Sequence, residues 1–249
     1  MFTDNEPLQP IIAGNGPLYA QVRDILMQRV QKGAWKPGKP IPGESHLASE
    51  LEVSQGTVRK AIGELVARNV LVRQQGKGTF VAAHDRRREL FHFFHIVADH
   101  SDRSHPRSHT LSCRRRVATR REKESLGLED GGQVVRIERV RDLSHKNVFF
   151  ETIAVSARKF PGLDKLTPND LPNTLYEFYE TQYGITIHRA DEKIKAVLAG
   201  ARIARTLDID KGAALLSIER TAYDLNGLAV ELRTSLVNTH SHHYSSQVT

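Results

Sequence analysis

Residues 41–80 read IPGESHLASELEVSQGTVRKAIGELVARNVLVRQQGKGTF. Glu44 to Leu51 predicts a short helix, Val53-Ser54 a tight turn, and Gln55 to about Asn69 a second helix. The apolar run Val70-Leu71-Val72 leads into a basic, Gly-flanked loop, Gln74-Gln75-Gly76-Lys77-Gly78, which Thr79-Phe80-Val81 closes. Two helices, a turn and a β-hairpin with a basic tip make a winged helix-turn-helix. The second helix of that motif fits the major groove of DNA, and the hairpin reaches the neighbouring groove or the backbone.

Upstream, Pro17 opens a further helix, where its missing N–H costs nothing. Leu18, Val22, Ile25, Leu26 and Val30 repeat at helical spacing, and Gly33 ends the run. Leu47, Ala48, Leu51, Val53, Val58, Ile62, Leu65 and Val66 complete one apolar core and are assigned no contact with DNA. The exposed positions carry the chemistry. Ser54 sits where an N-cap is needed, its hydroxyl able to accept from the free N–H near Thr57. Gln55, Gly56, Thr57, Arg59 and Lys60 follow on the first turns of the second helix. Gln can bind adenine bidentately, Arg guanine, and Thr a thymine methyl or a phosphate. Gly56 lets the backbone come near the DNA at some cost in helix propensity. Lys77 suits phosphate, and Gly76 and Gly78 permit the positive φ of a tight hairpin.

The composition agrees. The 249 residues have room for two domains and carry a net charge of +7. Between Pro17 and Ala82 ten Lys and Arg stand against five Asp and Glu, so most of the excess lies in the winged-helix region, where it would neutralise phosphates. No run of about 18 apolar residues is present to span a membrane. MFTDNEPLQPIIAGNG lacks the basic start and apolar core of a secretory signal and reads as a loose tail, 1–16. A single cysteine, Cys113, excludes an internal disulfide and fits a reducing cytoplasm.

The segments PLYAQVRDILMQRVQKGAWKPG, IPGESHLA, VSQGTVRKAI and QGKGTFV resemble the GntR family of bacterial transcription regulators, over about residues 17–82. The resemblance implies contacts to double-stranded operator DNA from Glu44, Ser45, Ser54, Gln55, Gly56, Thr57, Arg59, Lys60, Gln75, Gly76 and Lys77. Ser45 and Gln55 stand where the family often has arginines, which implies an operator other than the family's usual half-site.

Beyond the wing, Arg86-Arg87-Arg88 falls in an expected linker, 83–90, and the pattern then becomes mixed. TLSCRRRVAT, QVVRIERVRDL and VFFETIAVSA predict strands, TLYEFYETQY a helix, ITIHRADEKIKAVLA a strand and ARIARTLD a short helix. AALLSIERTAYDL and LAVELRTSLV predict a hairpin turning at Asn226-Gly227. Two stretches repeat: Leu126-Gly127-Leu128, Gly131 and Ile137-Glu138-Arg139 match Leu207-Asp208-Ile209, Gly212 and Ile218-Glu219-Arg220 at a constant offset of 81 residues. Each copy is followed by a strand carrying a glutamate, Glu151 or Glu231, with one residue of slippage. A helix, strand and hairpin used twice predict a pseudo-twofold antiparallel sheet, with charged residues of both copies converging in a cleft.

The segment 91–245 resembles the UTRA effector-sensing domain, on Arg139-Val140-Arg141, Phe150-Glu151, Phe160-Pro161-Gly162-Leu163, Leu175-Tyr176, Tyr183-Gly184 and Val230-Glu231, ending at Tyr244, before a short tail, 246–249. This places the chain in the HutC-like branch and implies a chorismate-lyase-like fold. The whole is then α+β, an N-terminal winged helix-turn-helix joined to a C-terminal antiparallel-sheet UTRA domain. The resemblance further implies an effector site built from Arg139, Arg141, Glu151, Tyr176, Glu231, Arg233 and Tyr244. Two arginines at spacing two share one face of a strand and could grip a carboxylate or phosphate of a small effector.

Other signals are weaker. His92, His95, His100, His105 and His109, then His240, His242 and His243, crowd two places without a local carboxylate–His signature, so no metal site is assigned. No GxGxxG, P-loop or GxSxG motif stands in the chain, so neither a cofactor nor a catalytic residue is assigned. The expectation is a cytoplasmic, homodimeric repressor released from a near-palindromic operator by a small molecule. Its alternatives are a DNA-binding regulator without ligand control and a chorismate-lyase-like enzyme.

Overall fold

A computed structural model describes residues 16–83, 95–99, 106–143 and 146–246. The expected tail up to residue 15, Arg86 to Arg88, most of the expected linker, His92, His100, His105 and residues 247–249 lie outside the described residues. The chain divides into two compact units, Met1–Ala83 and His84–Thr249.

In the first unit α1 (Leu18–Gln31), α2 (Glu44–Glu50) and α3 (Gln55–Ala67) precede an antiparallel hairpin, β1 (Leu71–Gln74) and β2 (Gly78–Val81). Val22, Leu26 and Val30 of α1 bury against Leu47 of α2 and Val58, Ala61, Ile62 and Leu65 of α3. Each such aliphatic side chain contributes about 1.5–3 kcal/mol of transfer free energy. Leu18, expected on that face, is the first residue of α1 and is exposed. Gly76 (φ 71°) and Gly78 (φ 114°) make the wing turn in a region that side chains avoid. The wing gains a third edge: Ile41 N–H donates to the Thr79 carbonyl at 2.9 Å, and Val81 N–H to that of Lys39 at 2.9 Å.

The second unit is a six-stranded antiparallel sheet in the order β4-β5-β6-β9-β8-β7. Its strands are β4 (Arg107–Val117), β5 (Gln133–Leu143), β6 (Lys146–Ser156), β7 (Ile187–Leu198), β8 (Ala214–Asp224) and β9 (Ala229–Asn238). The helices are α4 (Arg120–Leu126), α5 (Leu175–Tyr183) and α6 (Ala201–Leu207). The offset of 81 residues carries α4 onto α6 and β5 onto β8 residue for residue. Both helices end on a left-handed residue, Gly127 (φ 60°) and Asp208 (φ 56°). The copies also exchange partners. Arg202 of α6 pairs with Glu138 of β5 at 3.0 Å, and its counterpart Arg121 of α4 pairs with Glu219 of β8. Each copy's helix is thereby tied to the other copy's strand.

α4 and α6 cover one face of the sheet through Leu126, Ala204 and Leu207. On the other face α5 packs Leu175, Tyr176 and Tyr179 against Val135, Ile137, Ile153 and Val155. A small antiparallel pair, β3 (Ile96–Ala98) and β10 (His242–Tyr244), covers the rest of that second face over Leu143, Phe149, Ile218 and Val237. The charged residues lie between these two covers.

Candidate DNA interface and effector pocket

In the first unit Ser54 caps α3: its Oγ accepts from Thr57 N–H at 3.2 Å and lies 2.9 Å from Thr57 Oγ1. Ser45, Ser54, Gln55, Gly56, Arg59 and Lys60 are exposed, as are Gln75, Gly76 and Lys77 at the wing tip, and Thr57 is half-buried. A Cβ at Gly56 would meet nothing nearer than Ser54 Oγ at 3.7 Å, so packing does not require glycine there. The Glu44 carboxylate receives Arg59 Nε at 2.9 Å and Arg73 at 3.4 Å. Glu44 thus links the start of α2 to both α3 and the wing. Arg73 was not among the expected residues, because a single arginine on a short strand carries no motif. Lys60 turns back onto α1, its Nζ 3.7 Å from the centroid of the Tyr19 ring.

In the second unit the strand register builds the pocket. Arg139 stands opposite Glu151, Glu151 opposite Ser235, and Ser235 opposite Ile218, giving one row across β5, β6, β9 and β8. The adjacent row runs Ile137, Ile153, Arg233, Arg220 and Glu192. Side chains at alternate strand positions share a face, so these charged groups lie together on the α5 side. Arg139 Nε donates to Glu151 at 2.5 Å, Ser235 Oγ donates to it at 3.1 Å, and Arg141 and Arg233 stand 3.8 and 3.6 Å away. Arg233 grips Glu231 through two nitrogens, at 2.9 and 3.0 Å, while Tyr176 and Tyr179 donate to the same carboxylate at 3.1 and 2.9 Å. A further set closes the β7 side: Arg220 lies 2.6 Å from Glu192, to which Tyr244 Oη donates at 2.6 Å.

Burial opposes ionisation of Glu151, yet Arg139, Arg233 and Arg141 outweigh it and hold the carboxyl well below its usual range. Glu192 behaves alike: burial raises it, while Arg220 and the Tyr244 hydroxyl bring it down. Burial first, then the Glu231 charge, pushes Tyr176 up to about 12, so its hydroxyl stays a donor.

A cavity of about 370 Å³, including its mouth, lies among these groups. Arg141, Glu151, Arg233 and Tyr244, four of the seven expected residues, line it. Arg139, Tyr176 and Glu231 stand behind it, hydrogen-bonded to those groups or to each other. Glu192, Arg220, Ser235 and His95 line it without having been expected. Arg220 was within reach of the sequence, since it repeats Arg139; Glu192 has no local signal, because its partners come from β8 and β10. Elsewhere His243 Nδ1 lies 2.8 Å from Asp99 Oδ1, and His109 3.3 Å from Asp142. Among the described residues no group of three His, Cys, Asp or Glu is placed to hold a metal ion.

Residues 101–243 match the UTRA domain, and residues 18–81 match the family described as bacterial regulatory proteins, gntR family. The uncharacterized HTH-type transcriptional regulator YurK of Bacillus subtilis is 30% identical over 228 residues, covering 90% of this chain and 92% of that protein. The histidine utilization repressor of Pseudomonas putida is 30% identical over 222 residues, covering 87% and 88%. Among solved structures PhnF from Mycobacterium smegmatis is similar at 25% identity and a TM-score of 0.55, over 92% of this chain and 99% of that one.

Proposed function

The chain belongs to the gntR family of bacterial regulatory proteins, as a ligand-responsive, DNA-binding transcription regulator and not an enzyme, and on that premise we propose that it is a homodimeric repressor released from its operator by a small acid bound in the second unit. The gathering of four guanidinium groups and three carboxylates on one face of a duplicated sheet carries this reading. Burying so many charges is costly in a domain that only holds two chains together. It is explained by a ligand whose own charge completes the set.

The α3 residues Gln55, Gly56 and Thr57 read bases, Arg59 joins them under the hold of Glu44, and Ser45, Gln75, Gly76 and Lys77 meet the backbone. Lys60 contributes long-range attraction from its seat on Tyr19. Two such heads, paired through the second units, bind successive major grooves of a near-palindromic operator in the cytoplasm. Effector in the pocket changes the spacing or freedom of the heads, transmitted through residues 83–90. Because tight binding needs both heads in register, a modest change loses most of the affinity.

The test begins by selecting an operator from random duplexes with the full chain. Its affinity is then measured with and without a panel of carboxylates and phosphate esters. Selective, salt-sensitive binding that one class of acid weakens is expected. Equal affinity for operator and random DNA, or indifference to every acid that stabilises the protein, would defeat the proposal.

A further inference from the structure

The Glu44 carboxylate uses both oxygens on arginines of other elements. Oε2 accepts from Arg59 Nε at 2.9 Å and Oε1 from Arg73 Nη2 at 3.4 Å, so one side chain at the start of α2 holds a cation of α3 and a cation of β1. These pairs are exposed, Arg59 to 60%, and exposed pairs add little to stability. Their effect is on direction. A long arginine side chain otherwise spreads over many rotamers and gives up that freedom on binding. With Nε engaged, Arg59 keeps its Nη groups for a partner on the far side of Glu44.

The face that carries Arg59 suits close approach. Gln55 lies one turn before it and Gly63 one turn after. Glycine costs a helix stability, yet a Cβ would meet nothing within 4 Å at Gly63 and nothing nearer than 3.7 Å at Gly56, so packing requires neither. Arg59 stands clear between two positions without side chains. The other cation of α3, Lys60, is turned onto Tyr19.

Resting on the reading of bases by α3 above, we propose that Glu44 is a positioning residue for DNA recognition that does not itself touch DNA. It aims the Nη edge of Arg59 at a guanine and holds Arg73, a further phosphate contact of the wing, in step with it. Guanine offers O6 and N7 side by side, which a held arginine fork meets bidentately. The Glu44 charge also repels phosphates. It therefore lowers affinity for DNA of any sequence while sharpening the choice among sequences.

Titration of the full chain on its selected operator, on that operator's single-base variants and on random duplex tests this, with Glu44→Gln, Arg59→Ala, both together, and Arg73→Ala beside wild type. Wild type loses about tenfold in affinity when one G·C pair is replaced, and Arg59→Ala loses that preference. Glu44→Gln loses most of the same preference, binds random duplex at least as tightly as wild type, and adds nothing to Arg59→Ala in the double variant. Arg73→Ala weakens operator and random duplex alike and flattens the salt slope by about 1. Unchanged discrimination in Glu44→Gln, or an equal loss on operator and random duplex, overturns the positioning role, as does a Glu44→Gln chain that no longer folds. Discrimination lost at a pair that Arg59→Ala still reads overturns it too, since Glu44 is then itself a base contact. An unchanged slope in Arg73→Ala removes that residue from the interface. The two readings separate cleanly. A wild type indifferent to every single-base change sinks the reading of bases by α3; discrimination that Gln55→Ala abolishes, but Arg59→Ala and Glu44→Gln leave intact, keeps that reading and sinks this one.

Discussion

Glu151 has three guanidinium groups around one carboxylate, so its removal leaves the largest number of arginines without a counter-charge among the described glutamates of the pocket face. Glu151→Gln leaves Arg139, Arg141 and Arg233 buried without their shared counter-charge and is expected to cost about 3–5 kcal/mol in denaturant unfolding. The pH dependence has a definite sign. The folded carboxyl lies below its ordinary value of 4.5, so its stabilisation is complete above that pH and is lost as the pH falls through the acid range. Wild type therefore weakens on acidification, and Glu151→Gln shows a shallower slope; equal slopes would remove Glu151 from the account. In the first unit, Gln55→Ala is expected to relax sequence choice at one operator position by about 1–3 kcal/mol, read by comparing single-base operator variants. Equal losses on operator and random DNA would contradict a base contact. Arg139 and Glu151 were legible in the internal repeat as charged residues of one cleft, and as effector-site candidates only through the resemblance to a known domain. Arg220 was legible in the repeat itself, at the place of Arg139.

Elements with strong periodicity or turn chemistry emerged close to their expected bounds, β5 and the hairpin at Asn226-Gly227 among them. β3 did not. Three residues in a histidine-rich stretch have no period to read, and the partner strand β10 lies at the far end of the chain. α4 was implied by the repeat but never placed, since its residues RREKESL show no apolar stripe; the Thr119–Glu122 capping box was its available signal. The β3–β10 cover is fastened to the sheet by the Tyr244–Glu192 hydrogen bond. Tyr244→Phe is expected to speed amide exchange in β3 and β10 about fivefold or more, leaving β5 and β6 protected. Unchanged exchange would show that Tyr244 is not the fastening. At the wing, Lys77→Ala is expected to weaken every DNA sequence alike and flatten the salt slope by about 1. A slope that stays the same counts against a phosphate contact there.

The chain as a whole divides into two compact units, and the boundary after Ala83 falls just past the wing. The sheet's pseudo-symmetry was also readable, because the duplicated residues kept their spacing through α4, β5, α6 and β8. The exchange of partners between the copies was not, since Arg121–Glu219 and Arg202–Glu138 each cross from one copy to the other. A duplicated sheet gives the pocket contributions from both copies, and a winged helix gives the chain its output. The proposed control of DNA binding rests on a link between the two. Fluorescence anisotropy of the full chain on its selected operator, with and without an acid shown to bind the pocket, tests that link most directly. The comparison protein is Arg139→Gln, which removes the charge while retaining a polar side chain beside Glu151. Both proteins are expected to bind the operator equally without ligand, and saturating ligand is expected to weaken wild type by at least about tenfold, 1.4 kcal/mol. Arg139→Gln should not respond. A wild-type affinity untouched by saturating ligand, or a variant that releases DNA as wild type does, would contradict it.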